Sequence, residues 1–452
     1  MITMGRKIIL LVAISISMFL HATVWSQAVL DKYIQQGLDS NLVLKQRSIQ
    51  LEKALLTLTT AKSNFLPSVN FNASYTTAQG GRYADLPLGD MLNPVYTTLN
   101  QMTGTNAFPQ IENQQINFLP TNFYDTYIRT SVPLLNMDII ANKRIQQQKV
   151  ELSNLDMQVY ARELVKNIKV SYYNVILASK SVDIYEANKK VLEQNVALNE
   201  ALIKQGKGLK VNLLKAQTEL MKMNTSISTA KNQLKNAQAY FNFLINRPLD
   251  SDISLEETVS ATPQLEITEK REEIQLINQS IEVQESVLKM NKNYWVPKVN
   301  AFLDLGSQGQ DWEVSKKSAY YMFGISASIP IYNGSRNQQQ VKQTKYEIET
   351  AKLQLDQVSQ QLELQRQQAL RNVLNAQENW ETAKVQLEAS NQYFALVSGA
   401  NREGLTSQLE FIDASNQVTN AELFVLIQYQ NYLSSLAELE RAAATYPLNI
   451  NN

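Results

Sequence analysis

Residues 335–397 read SRNQQQVKQTKYEIETAKLQLDQVSQQLELQRQQALRNVLNAQENWETAKVQLEASNQYFALV and contain neither glycine nor proline. Every seventh position belongs to one mainly apolar set: Val341, Ile348, Leu355, Leu362, Ala369, Ala376, Ala383, Ser390 and Val397. A sustained seven-residue period predicts a helix that packs lengthwise against other helices with a left-handed supercoil. At 1.5 Å per residue the helix would be roughly 100 Å long. Because a compact domain needs no such helix, we expect the protein to bridge a distance of that order.

The composition argues against several functional classes. Lys plus Arg and Asp plus Glu each number 42, so the charge does not indicate nucleic acid as a partner. The chain has no cysteine, and its one histidine, His21, lies in the N-terminal segment discussed next. Disulfides, thiol catalysis and cysteine-ligated metals are therefore excluded. We find no nucleotide-binding or hydrolase motif and predict no catalytic residue, no metal site and no cofactor.

Residues 1–26 are typical of a secretory signal peptide. Arg6 and Lys7 precede an apolar core from Ile8 to Leu20, and small residues allow cleavage before Gln27. The alternative is an uncleaved N-terminal anchor, because such cores overlap in length with short membrane spans. No later stretch has the composition of a transmembrane helix, so the crossing of a second membrane would require strands.

The apolar period changes several times along residues 27–246, which form the first predicted structural repeat. We expect a helix over 28–64 and strands over 67–77 and 123–134, where apolar and polar residues alternate. The composition of residues 78–122 predicts a long loop with at most a short helical piece. A second long helix over 138–204, a break at Gly206 and a return helix over 211–246 complete this half.

The same order recurs in residues 266–452, after a polar linker over 247–265. A helix over 266–292 precedes strands over 295–306 and 319–331, the long helix quoted above, a break at Gly404 and a return helix that ends near residue 444. Pro133 and Pro330 are 197 residues apart, and Gly206 and Gly404 are 198 apart. This constant offset predicts a tandem duplication.

Each predicted strand has one apolar and one polar face. Four strands with open edges are not stable in lipid and are too few for a barrel of their own, so several copies must share one barrel. We expect lipid to contact the apolar faces: Val69, Phe71, Ile128, Val299, Leu303, Phe323 and Ile325. We expect an interfacial girdle from the aromatic residues at the helix–strand junctions: Phe65, Tyr294 and Trp295. The alternative is a soluble sheet with one packed face.

The duplication, the proline at each strand entry and the turn segments GKGLKVNLLKA (206–216) and GLTSQLEFIDA (404–414) carry a family resemblance. Over essentially the whole mature chain, the sequence resembles the TolC-like outer-membrane efflux channels. The resemblance implies a mainly α fold with a membrane β-barrel. In it, a homotrimer forms a coiled-coil α-barrel tunnel continuous with a twelve-stranded barrel, four strands per protomer, with the linker 247–265 at mid-tunnel.

The resemblance also implies a location and partners. The protein would lie in the outer membrane of a Gram-negative bacterium and extend into the periplasm. It would be the passive exit duct of a tripartite efflux or type I secretion system. Its partners would be a periplasmic adaptor (membrane fusion) protein, an inner-membrane pump of the RND or ABC type, and outer-membrane lipid, with no nucleic acid. The cargo and the pump class stay open.

Two acids at the second turn are the main candidate site. Glu410 and Asp413 are three residues apart, so on a helix they share one face. The resemblance places them at the periplasmic aperture, where copies in a trimer would form acidic rings that favour cations. Glu410 departs from the usual Asp of the family. The alternative is a pair of solvated acids on an exposed turn.

The turn of the first half is basic instead. We predict that its lysines, Lys207, Lys210 and Lys215, pair with the acids and hold the mouth closed. The candidates for adaptor contact are these lysines with Gly206, Gly404 and Thr406. For the two glycines, the alternative is that they only permit the helix reversal.

The main alternative to an exit duct belongs to a different functional class. A periplasmic coiled-coil scaffold or adaptor protein would also need long helices. Such adaptors usually carry one hairpin with Gly-rich β-domains, whereas this sequence predicts two hairpins and amphipathic strands.

Overall fold

The computed structural model describes residues 29–119, 122–255 and 271–448. The predicted signal segment and residues 256–265 of the predicted linker lie outside these ranges. The described chain divides into two compact units. The helical unit comprises residues 29–55, 148–255, 271–284 and 346–448, and the sheet unit comprises residues 56–119, 122–147 and 285–345.

The helices follow the predicted order. They are α1 (29–40), α2 (Leu42–Ser63), α3 (Leu88–Thr103), α4 (Met137–Lys204), α5 (Lys210–Leu244), α6 (Glu272–Lys292), α7 (Arg336–Arg402) and α8 (Gln408–Ala443). The strands are β1 (Ser68–Thr76), β2 (Tyr83–Leu86), β3 (Gln114–Asn117), β4 (Phe123–Leu135), β5 (Lys298–Gln310) and β6 (Ala319–Ser328). Among the described helices, none is both long enough and apolar enough to span a membrane.

The sheet unit contains a four-stranded antiparallel sheet in the order β1-β4-β5-β6. Its middle pair, β4 and β5, joins the first half of the chain to the second. Because directly paired residues share a face, one cross-strand row consists of Val69, Thr130, Leu303 and Phe323. The register brings all seven apolar strand residues of the sequence analysis to this same face.

The opposite face carries an ion pair at its centre. The Arg129 guanidinium donates two hydrogen bonds of 2.7 Å to the Asp304 carboxylate, which is buried. The guanidinium also lies 5.1 Å from the ring centroids of Tyr127 and Phe302. The face that the alternating pattern predicted to be polar therefore also carries aromatic side chains.

Residues 78–119 differ from the predicted loop. They contain the 16-residue helix α3 and the two-stranded antiparallel sheet of β2 and β3. Gly, Pro, Asn, Thr and Gln make up 21 of these 42 residues, a composition that favoured the prediction of a loop. Side-chain amides close the structure instead of an apolar core, so apolar periodicity was a poor guide.

Several predicted boundaries also differ: the strand expected to end at 306 continues to Gln310, and the strand expected to end at 331 ends at Ser328. The first helix breaks at Asn41, whose Oδ1 accepts hydrogen bonds of 3.0 Å from the amides of Val43 and Leu44. This starts a new helix, α2, as an N-cap does. The strand expected from residue 295 begins at Lys298, because residues Asn293–Trp295 form one 3₁₀ turn ahead of Pro297.

The helical unit is held by one large apolar core, with two smaller apolar clusters nearer the turns. The centre of the large core lies where α1, α4 and α5 meet, around the fully buried Ile34, Ile168 and Phe241. The seven-residue row of α7 is buried at most of its positions within this unit, from Ile348 to Val397. The predicted lengthwise packing of α7 is therefore confirmed.

Candidate functional site

The two helix hairpins of the helical unit end in turns of equal length. The first turn (205–209) joins α4 to α5, and the second turn (403–407) joins α7 to α8. Gly206 and Gly404 have φ angles of +73° and +74°, a conformation that disfavours residues with a Cβ. A Cβ at either position would meet open space. The reversal of the chain, and not crowding, therefore requires glycine at both turns.

The acid pair lies at the start of α8. Ser407 caps this helix, and its Oγ accepts a 3.2 Å hydrogen bond from the Glu410 amide. Glu410 and Asp413 are both exposed. Glu410 also occupies the third helical position, where an acid suits the positive end of the helix dipole. Both carboxylates are therefore open to solvent.

The lysines of the first turn do not pair with these acids within the described chain. Lys207, Lys210 and Lys215 are exposed, and no acidic oxygen of the described residues lies within 4 Å of their amino groups. Farther from the turns, Asn416 of α8 donates a 2.9 Å hydrogen bond to Glu219 of α5 and so links these two helices. The predicted lysine latch is absent inside one copy, so it would have to act between copies.

Near the turns, α4 and α8 are joined by buried uncharged groups, called here the amide ladder. Gln408 donates to Asn195 at 2.5 Å, and its own Oε1 accepts from Asn199 at 3.2 Å. Further along, Ser415 donates to Asn188 at 2.9 Å. The ladder consists of Asn188, Asn195 and Asn199 on α4 and Gln408, Ser415 and Thr419 on α8, all buried.

The contact between α7 and α8 at the same level is apolar. Val397 and Phe394 of α7 pack with Phe411 and Ile412 of α8, and the Phe394 and Phe411 rings are 5.7 Å apart. Within the second hairpin the helices therefore adhere by hydrophobic burial. Val191 of α4 also packs against this cluster, so the contact between α4 and α8 at this level combines an apolar contact with the polar amide ladder.

Farther from the turns, charged groups join α4, α6 and α8 in what we call the ion cluster. Arg162 donates two hydrogen bonds of 2.7 and 2.6 Å to Glu272, and a third to the Tyr446 carbonyl at 2.8 Å. Both side chains of this pair are about nine-tenths buried, at 10% and 9% exposure. The cluster comprises Arg162, Glu163, Lys166, Lys169, Arg271, Glu272, Glu273, Glu440 and Arg441.

Glu273 is the best-paired acid of the ion cluster. Its Oε1 accepts from Arg271 at 2.8 Å and from Arg441 at 2.6 Å. Burial opposes ionisation of this carboxyl, but the two guanidinium groups outweigh burial and lower the pKa of Glu273 to about 2. The carboxylate thus stays charged across the physiological range and fixes α6 to the end of α8.

The predicted membrane-facing residues lie on the sheet unit, and all are exposed except Val299, which is half-buried. Phe71, Val69 and Phe323 are 71%, 65% and 65% exposed on the shared apolar face. At the helix–strand junctions, Phe65 and Tyr294 are partly exposed and Trp295 is strongly exposed. A second aromatic group escaped the sequence analysis: Trp312 stacks on Tyr75 and Tyr124 at the opposite end of the strands, with centroids 5.3 Å apart in both pairs.

The amide ladder also escaped the sequence analysis, although a signal was present. Asn167, Asn174, Ser181, Asn188 and Asn195 recur at every seventh position of α4. A polar row at this spacing is compatible with a polar seam between helices, although the spacing alone does not distinguish such a seam from a solvated face. Asn174 accepts a 2.8 Å hydrogen bond from Gln430 of α8 and so continues the seam.

Comparison with known families gives one match over most of the chain. The family described as "Outer membrane efflux protein" matches residues 33–247 and 266–445. Among curated proteins, the chain is similar to the alkaline protease secretion protein AprF of Pseudomonas aeruginosa, at 20% identity over 250 residues. That similarity covers 52% of this chain and 52% of AprF, so the matched region spans about half the length of the relative.

Solved structures show the same fold over nearly the whole chain. The outer-membrane channel OprN matches with a TM-score of 0.74 at 17% identity, covering 93% of this chain and 92% of OprN. The CmeC outer membrane channel of Campylobacter jejuni matches with a TM-score of 0.73 at 16% identity, covering 92% and 85%. The fold is that of an outer-membrane channel with long helices and few strands.

Proposed function

The chain belongs to the outer membrane efflux protein family, and from that premise we propose that it is the passive outer-membrane exit duct of a tripartite efflux or type I secretion system. One observation carries the proposal. The four-stranded sheet exposes an apolar face, and its outer strands β1 and β6 have no further strand partner among the described residues. Such a sheet needs lipid on one face and other copies at both edges.

In this proposal three copies form a trimer, and their sheets join edge to edge into one shared twelve-stranded barrel. Val69, Phe71 and the other residues of the apolar face would contact lipid, while Phe65, Tyr294 and Trp295 would lie at the interface with water. The face with Arg129 and Asp304 would line the duct. Three protomers would give twelve strands, a number within the range of outer-membrane barrels.

The helices offer a second support for a trimer. Beside its buried seam, α7 carries an exposed apolar row at intervals of ten or eleven residues: Leu353, Leu364, Leu374, Val385 and Leu396. Eleven residues are close to three helical turns, so the row follows one side of the helix. An exposed row of this length fits burial against a neighbouring copy.

In the proposed duct the two turns form the periplasmic opening. Three copies of Glu410 and Asp413 would surround the aperture and favour cations. The exposed turns around Gly206, Lys207, Gly404 and Thr406 would contact a periplasmic adaptor, which connects the duct to an inner-membrane pump of the RND or ABC type. Because the duct is passive, the pump would supply the energy and choose the cargo.

Opening would require α8 to move against α4. The amide ladder suits such movement, because amides and hydroxyls can exchange partners without leaving a charge unpaired. The apolar contact of α7 with α8 would keep the second hairpin together while it moves.

Planar-bilayer recording of the purified protein tests this proposal. We expect a small cation-selective conductance from the wild type. The Glu410→Gln/Asp413→Asn variant should lose cation selectivity or conduct more. Glu200, an exposed acid on α4 near the first turn, provides the control as Glu200→Gln. If the acid-pair variant and the Glu200→Gln control had the same conductance and selectivity, the acids would not lie at the aperture. If the trimeric wild type gave no conductance, the result would favour the scaffold alternative.

A further inference from the structure

The segment 78–119, called here the insert, is a folded element between β1 and β4. Asn93 of α3 exchanges two hydrogen bonds of 2.9 Å with the backbone of Ile111. Seven residues later, Asn100 exchanges two more with the backbone of Phe108, at 2.8 and 3.1 Å. The two asparagines thus fasten the returning chain along one side of α3.

The same side of α3 begins with a glycine that the contact requires. A Cβ on Gly89 would lie 2.5 Å from the Ile111 carbonyl oxygen, closer than any side chain permits. Beside it, Asn113 accepts from the Asp90 amide at 3.1 Å and donates to the Asp90 carboxylate at 3.0 Å. The insert is therefore a fixed structure, although its apolar core is small.

The opposite side of α3 is apolar and open. Met91, Val95 and Met102 lie half a helical turn away from Asn93 and Asn100, given 100° of rotation per residue. They are 67%, 51% and 79% exposed. We call these three residues the methionine stripe. An apolar stripe this open on a fixed helix is typical of an interface.

Charge decides which partner suits the stripe. The insert has one basic residue, Arg82, against three acidic residues, Asp85, Asp90 and Glu112. It therefore lacks the cations that would bind the phosphates of an anionic lipid surface. The only charged residue of α3 is Asp90, on the side held by Asn113. Identical copies of this helix can thus meet stripe to stripe without repulsion between like charges.

The dimensions also fit contact between copies. With about 4.8 Å between strands and a tilt near 40°, a twelve-stranded barrel has a backbone radius of about 12 Å. The 16 residues of α3 give a length of about 24 Å. A helix held at the rim is thus long enough to reach the barrel axis. The insert lies at the strand ends away from the long helices, because it joins the end of β1 to the start of β4.

We propose that the methionine stripes of three copies pack together around the three-fold axis and cap the outer end of the duct. The proposal rests on the trimer of the proposed function. The flexible side chains of Met91 and Met102 suit a contact that must open for cargo, because methionine adapts to changing neighbours. The second half of the chain has only a short loop between β5 and β6, so each copy would contribute one cap helix.

Cysteine cross-linking of the full-length trimer tests the cap, because the natural chain has no cysteine. Met102→Cys places one thiol per copy on the stripe. Ala107→Cys is the matched control, since residue 107 is also exposed but lies on the returning chain beside Phe108. Under mild oxidation we expect covalent dimers from Met102→Cys and none from Ala107→Cys.

The outcomes separate the cap from the proposed function. Unheated gel electrophoresis reports the trimer independently of the cross-link. Trimers that give no covalent dimer through Met102→Cys would overturn the cap alone. Absence of trimers would overturn the cap and the proposed duct together.

A second measurement concerns the closed mouth. The Met91→Asp/Met102→Asp variant keeps the asparagine contacts but places like charges at the stripe. In bilayers, with Glu410→Gln/Asp413→Asn present in both arms so that the periplasmic aperture does not limit the current, we expect its conductance to rise several-fold over the parent, with trimers intact. Unchanged conductance in this variant would contradict a cap at the mouth.

Discussion

The ion cluster and the amide ladder join the same two helices, α4 and α8, by different chemistry. In the ion cluster, Lys169 donates to both carboxylate oxygens of Glu440, at 2.9 and 2.7 Å. In the ladder, nearer the turns, Asn195 and Gln408 hold each other through neutral amides. A buried charge that loses its partner is costly, whereas an amide can find another partner or water. We infer that this helix pair is fixed at the ion cluster, which lies midway along α4 and at the C-terminal end of α8 (the fixed middle), and can move near the turns (the movable end).

The largest effect is expected from the ion cluster. Arg162→Leu would leave Glu272 buried without its guanidinium partner and cost about 3–5 kcal/mol of unfolding free energy. The control is Lys231→Met, which breaks the exposed 2.7 Å pair with Glu186 and should cost under about 1 kcal/mol. Chemical denaturation followed by helical circular dichroism measures both. Similar losses in the two variants would refute the fixed middle.

A slightly smaller effect is expected from pH. Because the folded pKa of Glu273 is lowered to about 2, its stabilisation is complete above the unfolded pKa near 4.5 and declines as pH falls from there toward 2. The decline amounts to roughly 3 kcal/mol in total. Glu273→Gln should be less stable than the wild type at pH 7, and the two stability curves should approach each other below pH 4. Parallel curves would contradict this role of Glu273.

Mutation of the amide ladder should lower the free energy of unfolding less than mutation of the ion cluster does, but it should raise the conductance more. Asn195→Ala leaves Gln408 without one partner and should cost about 1–3 kcal/mol. It should also raise the bilayer conductance, because α8 is held less firmly to α4. Gln194→Ala, an exposed neighbour on α4, is the control and should change neither quantity. Lower stability with unchanged conductance would separate the ladder from opening.

The smallest effect is expected at the basic first turn. Lys210→Ala and Lys215→Ala should change unfolding free energy by less than about 0.5 kcal/mol, because these exposed lysines have no acidic partner within the described copy. If they pair with Glu410 or Asp413 of a neighbouring copy, leak conductance should rise slightly in both variants and not in Lys235→Ala. No change in either variant would end the latch hypothesis.

Periodicity predicted most of the helical unit and little of its polar chemistry. The seven-residue row of α7 is buried as expected, because burial of apolar side chains enforces that spacing. Asn188 and Asn195 repeat at the same interval, yet a polar residue in a helix does not reveal whether it faces a partner or water. Only the packing of α8 against α4 distinguishes the two.

The sheet unit shows a similar limit. Alternation predicted the apolar face with Phe71 and Phe323, but pairing between β4 and β5 depends on contacts between residues about 175 positions apart, such as Arg129 and Asp304. The insert was not predicted as a folded element, because Asn93 and Asn100 stabilise it through single amides and not through a repeating pattern. Composition alone therefore indicated a loop there.

Two engineered cross-links at different levels of the same helix pair give the most direct test of a fixed middle and a movable end. Asn188→Cys/Ser415→Cys places a disulfide at the ladder, where the replaced side chains are 2.9 Å apart. Lys169 and Glu440 meet only through the tips of long side chains, so Lys169→Cys/Glu440→Cys is joined at the ion cluster by a reducible bis-maleimide instead of a direct disulfide. In bilayers we expect the ladder cross-link to hold the conductance at its closed level until it is reduced, and the ion-cluster cross-link to leave the conductance unchanged. Equal effects of the two cross-links would contradict a duct that opens by movement of α8 near the turns.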